Sequence, residues 1–231
     1  LVYKNLGNLE KEQGNFDNAK ILLEKAFKNI KQNYGENHSE IAEILLEMGR
    51  LEQSNQVEKS IEIFRKAIKI SEIIEGDFSE NKGDLLYELA KSYDLLGDSK
   101  SCISISDSCI NTFTKVFKTK KHPKIIDAIF LISSSKIKEH NYEKALIYCD
   151  KGINLSFKNQ PNFQENLDSK NILFESSIIK GLQLKTTILR LQKKDPQIGL
   201  LFSKYGLLFS GTPCQNAPYA KVYPVLQLHI Y

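Results

Sequence analysis

No stretch of this chain approaches the roughly 18 uninterrupted apolar residues that a membrane-spanning helix needs, and the opening Leu1-Val2-Tyr3 has none of the three regions of a signal peptide. Cysteine is sparse: Cys102, Cys109, Cys149 and Cys214 form no C-x-x-C pair and show no zinc-ligand spacing. The four histidines, His38, His122, His140 and His229, are scattered. His38 and His122 recur at the same loop position, which favours a turn or cap role over catalysis, and neither has a Ser, Asp or Cys at a spacing that suggests a nucleophile and its base. Glycine-rich phosphate loops, metal motifs and paired catalytic carboxylates are also missing. These absences argue against an enzyme, a cofactor, a metal and a membrane partner. They fit free thiols in a reducing cytoplasm, and a start at Leu rather than Met fits a piece of something longer.

With 41% hydrophobic and 26% charged residues over 231 positions, the chain can bury a substantial core. The net charge of +4 conceals a polarity. Residues 1–100 hold 14 Lys and Arg against 19 Asp and Glu, whereas residues 101–231 hold 18 against 9. Such a distribution can orient a charged partner or an end-to-end neighbour.

One stretch recurs. GNFDNAKILLEKAF (14–27) returns as NQVEKSIEIFRKAI (55–68), GDSKSCISISDSCI (97–110) and HNYEKALIYCDKGI (140–153). Small residues fall in register as Ala19, Ser60, Cys102, Ala145 and as Ala26, Ala67, Cys109, Gly152. Upstream of each copy lies a large-small pair: Leu6-Gly7, Met48-Gly49, Leu89-Ala90 and Ile132-Ser133. A bulky residue stands three places earlier, at Tyr3, Leu45, Leu86 and Ile129. Each unit therefore reads as two amphipathic helices, with apolar residues at three-to-four spacing around a short side chain. Two helix axes reach the lower end of the roughly 8–10 Å packing range only where a side chain is short, so the small residues mark helix crossings. One hairpin cannot bury both of its faces, whereas a stack of hairpins can.

The pattern resembles the tetratricopeptide repeat, in the long form of the kinesin light chains, whose loops often read G-x-x-H-P before the next helix. The matching loops here are Gly35-Glu36-Asn37-His38-Ser39 and Lys120-Lys121-His122-Pro123, while Gly76-Asp77-Phe78-Ser79 lacks the histidine. The resemblance covers residues 1 to about 156. It implies an all-α, right-handed solenoid with repeats at 1–34, 39–75, 80–118 and 123–156. Helices are expected near 1–13, 17–32, 39–54, 57–74, 80–96, 99–117, 123–139 and 142–156, with Ser39 as an N-cap and Pro123 in a first turn.

The resemblance also implies a non-catalytic scaffold whose first, or A, helices line a concave groove for a peptide segment or helix of a protein partner. Carried over by position, one groove row reads Lys4, Leu46, Tyr87 and Phe130, and the next Asn8, Arg50, Lys91 and Ser134. Apolar anchors beside basic residues suit a partner with some acidic character; against this, Tyr87 and Phe130 at helical spacing are more often packing residues than ligand anchors, and Arg50 and Lys91 also fit a solvated face. Of the asparagines that hold a peptide backbone in kinesin light chains, only Asn5 is matched; Glu47, Glu88 and Leu131 stand at the equivalent places. A structural subunit of a large cytoplasmic or cytoskeletal assembly is the alternative reading. The lysine run Lys115, Lys118, Lys120, Lys121 and Lys124 offers a basic patch, with nucleic acid the less favoured ligand because only Phe117 accompanies it.

Past Leu155 the repeat signature fails. Helical periodicity over 165–193, and again from Pro196 to Phe209, fits capping helices for the open end of a stack (159–209). Residues 210–231 read as an extended tail: Pro213, Pro218 and Pro224 forbid a continuous helix, and Leu226, Leu228 and Ile230 alternate as in a strand.

Overall fold

The structure, a computed structural model, describes residues 2–159, 169–194 and 196–198. The expected helix from Pro196 and the tail at 210–231 therefore lie largely or wholly outside the described residues. Among those residues the order is α1 (Val2–Glu12), α2 (Phe16–Tyr34), α3 (Ser39–Glu52), α4 (Val57–Glu75), α5 (Glu80–Leu96), α6 (Ser99–Phe117), α7 (Pro123–Lys138), α8 (Tyr142–Leu155) and α9 (Glu175–Leu191). The first eight end within two residues of the periodicity reading. α1–α2, α3–α4, α5–α6 and α7–α8 form hairpins, and each even-numbered helix packs on the odd-numbered helix that follows. Successive odd-numbered helices also touch, α1 to α3 through to α9, whereas the even-numbered ones make no comparable contact with each other. The odd-numbered, A, helices thus form the inner wall of an α-solenoid.

The small residues lie where the helices cross. Ala19, Ser60, Cys102, Ala145, Ala26, Ala67, Cys109, Gly152, Gly7, Gly49, Ala90 and Ser133 are all buried. A Cβ on Gly49 would stand 2.3 Å from the ring of Phe64, and one on Gly152 at 2.3 Å from the ring of Phe130. At Gly7 the facing side chain is Leu23, whose Cγ would be 3.0 Å away. Where the small residue carries a hydroxyl or thiol, that group is bonded: Ser60 to Ser92 at 2.8 Å, Ser133 donating to Ala145 O at 2.7 Å, and Cys109 Sγ donating to Gly83 O at 3.4 Å. Burial pushes the thiols of Cys102, Cys109 and Cys149 up, that of Cys149 to about 12. All three are free and buried, and at neutral pH they pack as thiols rather than act as nucleophiles.

Helix starts explain the two in-register histidines. The N-cap of α3 is His38 and not Ser39, which is already the first helical residue. His38 Nδ1 accepts from the amide of Glu40, and His122 Nδ1 from that of Lys124, both at 3.3 Å. Each imidazole also lies on the aromatic residue that closes the preceding helix: Tyr34 with His38 at 5.0 Å and Phe117 with His122 at 3.7 Å between centroids. α5 uses Ser79, whose hydroxyl accepts from Lys82 N at 3.1 Å. The chain leaves α2 and α4 through Gly35 and Gly76 at φ of 85° and 79°, a conformation that suits glycine because it has no Cβ.

A neutral imidazole is required at the cap, since a protonated Nδ1 cannot accept. Burial, helped by the Lys124 ammonium and opposed by Glu80 and Asp84, holds His122 below its ordinary value. The unfolded chain therefore takes up this proton first, so the contribution of His122 is complete above its unfolded value of about 6.5 and is lost as pH falls through its folded value. His122→Asn, an acceptor that does not titrate, is expected to flatten the acid decline of thermal stability between about pH 7 and 5. His122→Ala should cost about 1 kcal/mol at neutral pH. Melting temperature against pH for the three chains checks both.

The C-terminal helix starts later than its periodicity suggests. α9 begins at Glu175, preceded by a short 3-10 turn at Ser169–Asn171. The delay follows from a clasp. Phe157 and Ile172 form an antiparallel bridge, Lys158 N donates to Asn171 O and Leu173 N to Ser156 O, each at 2.8 Å. Peptide groups held this way across 156–158 and 171–173 cannot close helical bonds. α9 packs on α8 and α7 as the A helix of a fifth repeat would, with Ile178, Gly181, Ile188 and Leu189 buried. Cys149 Sγ donates to Gly181 O at 3.1 Å, and a Cβ on Gly181 would meet Ile153 at 2.5 Å and Phe130 at 2.8 Å.

Candidate protein-interaction groove

The A-helix face is bounded by α1, α3, α5, α7 and α9, and successive members are bridged by ion pairs. Lys4 pairs with Glu43, and Lys11 with Glu47, from α1 to α3. Arg50 reaches Glu47 at 2.7 Å on its own helix and Glu88 of α5 at 3.0 Å. Lys91 holds the other oxygen of Glu88 at 2.8 Å, and Gln53 Nε2 donates to Glu88 O at 2.9 Å. From α7 to α5, Lys124 holds Glu80 at 2.9 Å and Asp84 at 2.8 Å, and Lys138 holds Asp94 at 2.8 Å. Lys180 of α9 reaches Asp127 of α7 at 3.0 Å.

Glu88 is the hub of this ladder. It is 5% exposed, and a carboxylate taken so far from water needs a paired cation at each oxygen. Burial works against the charge of Arg50, yet the carboxylates of Glu88 and Glu47 outweigh it and hold its pKa above the ordinary value. The two positions where the kinesin light chain pattern would place asparagine, Glu47 and Glu88, thus hold the chain's own cations.

This arrangement redistributes the residues expected to line the groove. Leu46 and Phe130, each 8% exposed, belong to the core and not to an open wall. The Phe130 ring fills the space left by Gly152 and Gly181, locking the fourth hairpin to α9. Tyr87 is half-buried beside Lys91, whose ammonium lies 5.8 Å from its ring. Burial raises the Tyr87 hydroxyl's pKa, with Asp127 and Glu88 adding to the effect, so the phenol stays a protonated donor. Arg50 and Lys91 are tied into the ladder. Asn5 is exposed, and Asn8 and Ser134 are half-buried; the Asn8 Oδ1 is buried without a hydrogen-bond partner among the described residues. Of the residues expected to line the groove, the polar ones left outside the ladder are neutral: Asn5, Ser134, the Tyr87 hydroxyl and, its buried oxygen apart, Asn8.

The lysine patch lies off this face, on the edge formed by the loops between hairpins. Lys118, in the left-handed region at φ 53°, and Lys120 are exposed, whereas Lys121 donates to Lys158 O. Phe117 is half-buried and stacks on both His122 and Phe113, so its ring is engaged within the chain.

Sequence reading missed the roles of Glu47, Glu88 and Gly181. A signal for the first two existed: ladder partners such as Arg50 and Glu88, or Lys4 and Glu43, stand 38 and 39 residues apart, close to one repeat. A glycine in mid-helix such as Gly181 signals close approach.

Residues 1–73 match the family model described as Tetratricopeptide repeat. No curated protein matches the sequence. Solved structures do match. The nearly identical TPR-like repeats of a protein assigned as a kinesin light chain in Podosopora anserina superpose with a TM-score of 0.71 at 13% identity, covering 94% of this chain and 96% of that one. BtubC (BKLC) from P. vanneervenii superposes at 0.70 and 11% identity, covering 89% and 77%. A Rap protein complexed with Competence and Sporulation Factor gives 0.63 at 15% identity, covering 89% of this chain and 54% of that one. At such identities the likeness is one of fold. A family match over the first two hairpins, followed by further hairpins in the same register and by neighbours of the same architecture, identifies α1–α4 as tetratricopeptide repeats and the whole as one α-solenoid of that fold.

Proposed function

We propose that the chain is a non-catalytic scaffold that holds a segment of a protein partner against its A-helix face. The observation that carries this reading is the ion-pair ladder, which fixes five A helices as one wall while leaving neutral hydrogen-bonding groups along it. A wall of this kind recognises backbone amides and carbonyls through Asn5, Asn8, Ser134 and Tyr87. It gives little weight to acidic side chains, because Arg50 and Lys91 would have to leave Glu88 to meet them. The partner is then a peptide or helix chosen by shape and backbone. The Rap structure, bound to a factor on the same fold, supports a groove role by analogy.

The test is affinity purification of the tagged chain beside an Asn8→Arg, Ser134→Arg variant, with the captured proteins quantified and melting curves recorded. Partners held in the groove are expected to fall by about tenfold or more while the melting temperature stays within a few degrees. Equal capture by both chains rules the groove reading out. The alternative, a subunit of a larger cytoplasmic or cytoskeletal assembly contacted through outer faces and tail, is favoured by the charges left unpaired on the loop edge; it predicts capture that survives groove substitution.

A further inference from the structure

The inter-hairpin loops line one edge of the solenoid, and two neighbouring loops there carry opposite charge. Residues 72–84 hold five carboxylates against one lysine, and residues 115–124 hold five lysines and no carboxylate. Part of this charge is consumed internally: Glu72 by Lys82, Glu80 and Asp84 by Lys124, and the Lys121 ammonium by Lys158 O. What remains is still opposite in sign. Asp77 is exposed, and Glu75 takes only a hydroxyl bond from Ser71. Lys115, Lys118 and Lys120 are exposed with no ion pair among the described residues. The acidic loop is also where the aromatic-histidine stack of the other two loops is absent. Phe78 is instead 48% exposed, and Ile73, in the last turn of α4, is 66% exposed. Beside Phe78 a shallow cleft is lined by Glu72, Asp77, Lys82, Leu86 and Asn111. It offers an incoming lysine the Asp77 carboxylate for the ammonium and Phe78 and Leu86 for the stem.

We infer that two copies of this chain pair through the loop edge about a two-fold axis passing between the loops, setting the acidic 72–84 segment of each against the basic 115–124 segment of its partner. A two-fold contact must be self-complementary. Adjacent patches of opposite sign on one edge meet that condition, with Ile73 and Phe78 of each copy supplying apolar surface against the lysine stems of its partner. This interface is separate from the A-helix groove and stands or falls independently of it.

Sedimentation velocity over a wide concentration range tests the pairing. A dimer is expected that dissociates as salt rises, since exposed charges are screened beyond about 10 Å at 0.1 M salt. Charge reversal gives the decisive arm. Lys115→Glu with Lys120→Glu makes the whole edge acidic, and Glu75→Lys with Asp77→Lys makes it basic. Each variant alone should self-associate about tenfold more weakly or worse, and the two mixed should restore a one-to-one complex. Phe78→Ala in the unaltered edge should also weaken the dimer. The inference is overturned by a monomer at every concentration, by a variant that dimerises as well as the parent, or by failure of the mixture to associate. A monomer that instead retains nucleic acid through the lysine loop assigns the patch to that ligand and overturns it too.

Discussion

Gly49→Ala is expected to destabilise the protein by about 2 kcal/mol, against the gain of about 1 kcal/mol that alanine brings to an exposed helix interior. The added methyl group would sit 2.3 Å from Cε1 and 2.6 Å from Cζ of Phe64, a ring that is fully buried and cannot swing into solvent. Either α3 and α4 move apart, opening the core between them, or the ring leaves its rotamer. The first hairpin supplies the remedy. There Leu23 faces Gly7 and would stand 3.0 Å from the same added carbon, a gap that a small shift accommodates. Phe64→Leu alone should cost about 1–2 kcal/mol as a cavity, and combined with Gly49→Ala it should recover most of the loss. Urea denaturation of the four chains gives the coupling directly. Additive costs would show that the glycine is not there for the ring.

The second large effect lies in the ladder. Replacing both Arg50 and Lys91 by methionine leaves the Glu88 carboxylate buried with neither cation, which is expected to cost about 3 kcal/mol. Arg50 alone should cost much less, since Lys91 still holds one oxygen and the guanidinium is itself partly hydrated. Adding Glu88→Gln to the double variant should return most of the stability, because an amide tolerates the same burial without a charge. If Glu88→Gln brings no recovery, the loss comes from the packing of the Arg50 and Lys91 stems and not from the stranded carboxylate. Denaturant midpoints at neutral pH separate the two.

The hairpins were legible because helix crossing imposes a local rule. A small residue with large ones a turn away repeats in one dimension and needs no knowledge of the neighbour. The groove was not legible, because its walls are defined between helices. Leu46 and Phe130 share a row with Lys4 and Tyr87, and nothing in the row itself says which side chains turn into the next repeat. Phe130 is buried because Gly152 and Gly181, 22 and 51 residues later, vacate its place. Arg50 and Lys91 looked available for the same reason: their partner Glu88 is one repeat away from the first and one turn from the second. Hydroxyls usually fill the cap role, which points to Ser39, while the recurring histidines already point to a turn or cap; the imidazole, packed on Tyr34 or Phe117, is the group that serves it.

The unequal fit at the crossings also bears on how such a chain folds. Repetitive proteins risk register errors, in which a segment joins the wrong neighbour or a second molecule. Where the first two hairpins set Leu23 and Phe64 against glycine, the third and fourth have Ser106 and Cys149 at the same register positions, with Ala90 and Ser133 on the other helix. A swapped arrangement would crowd Phe64 against Ala90 or strand a void beside Ser106. Each unit thereby carries its own key, and the order of assembly is written into side-chain volume rather than into the helices, which are interchangeable.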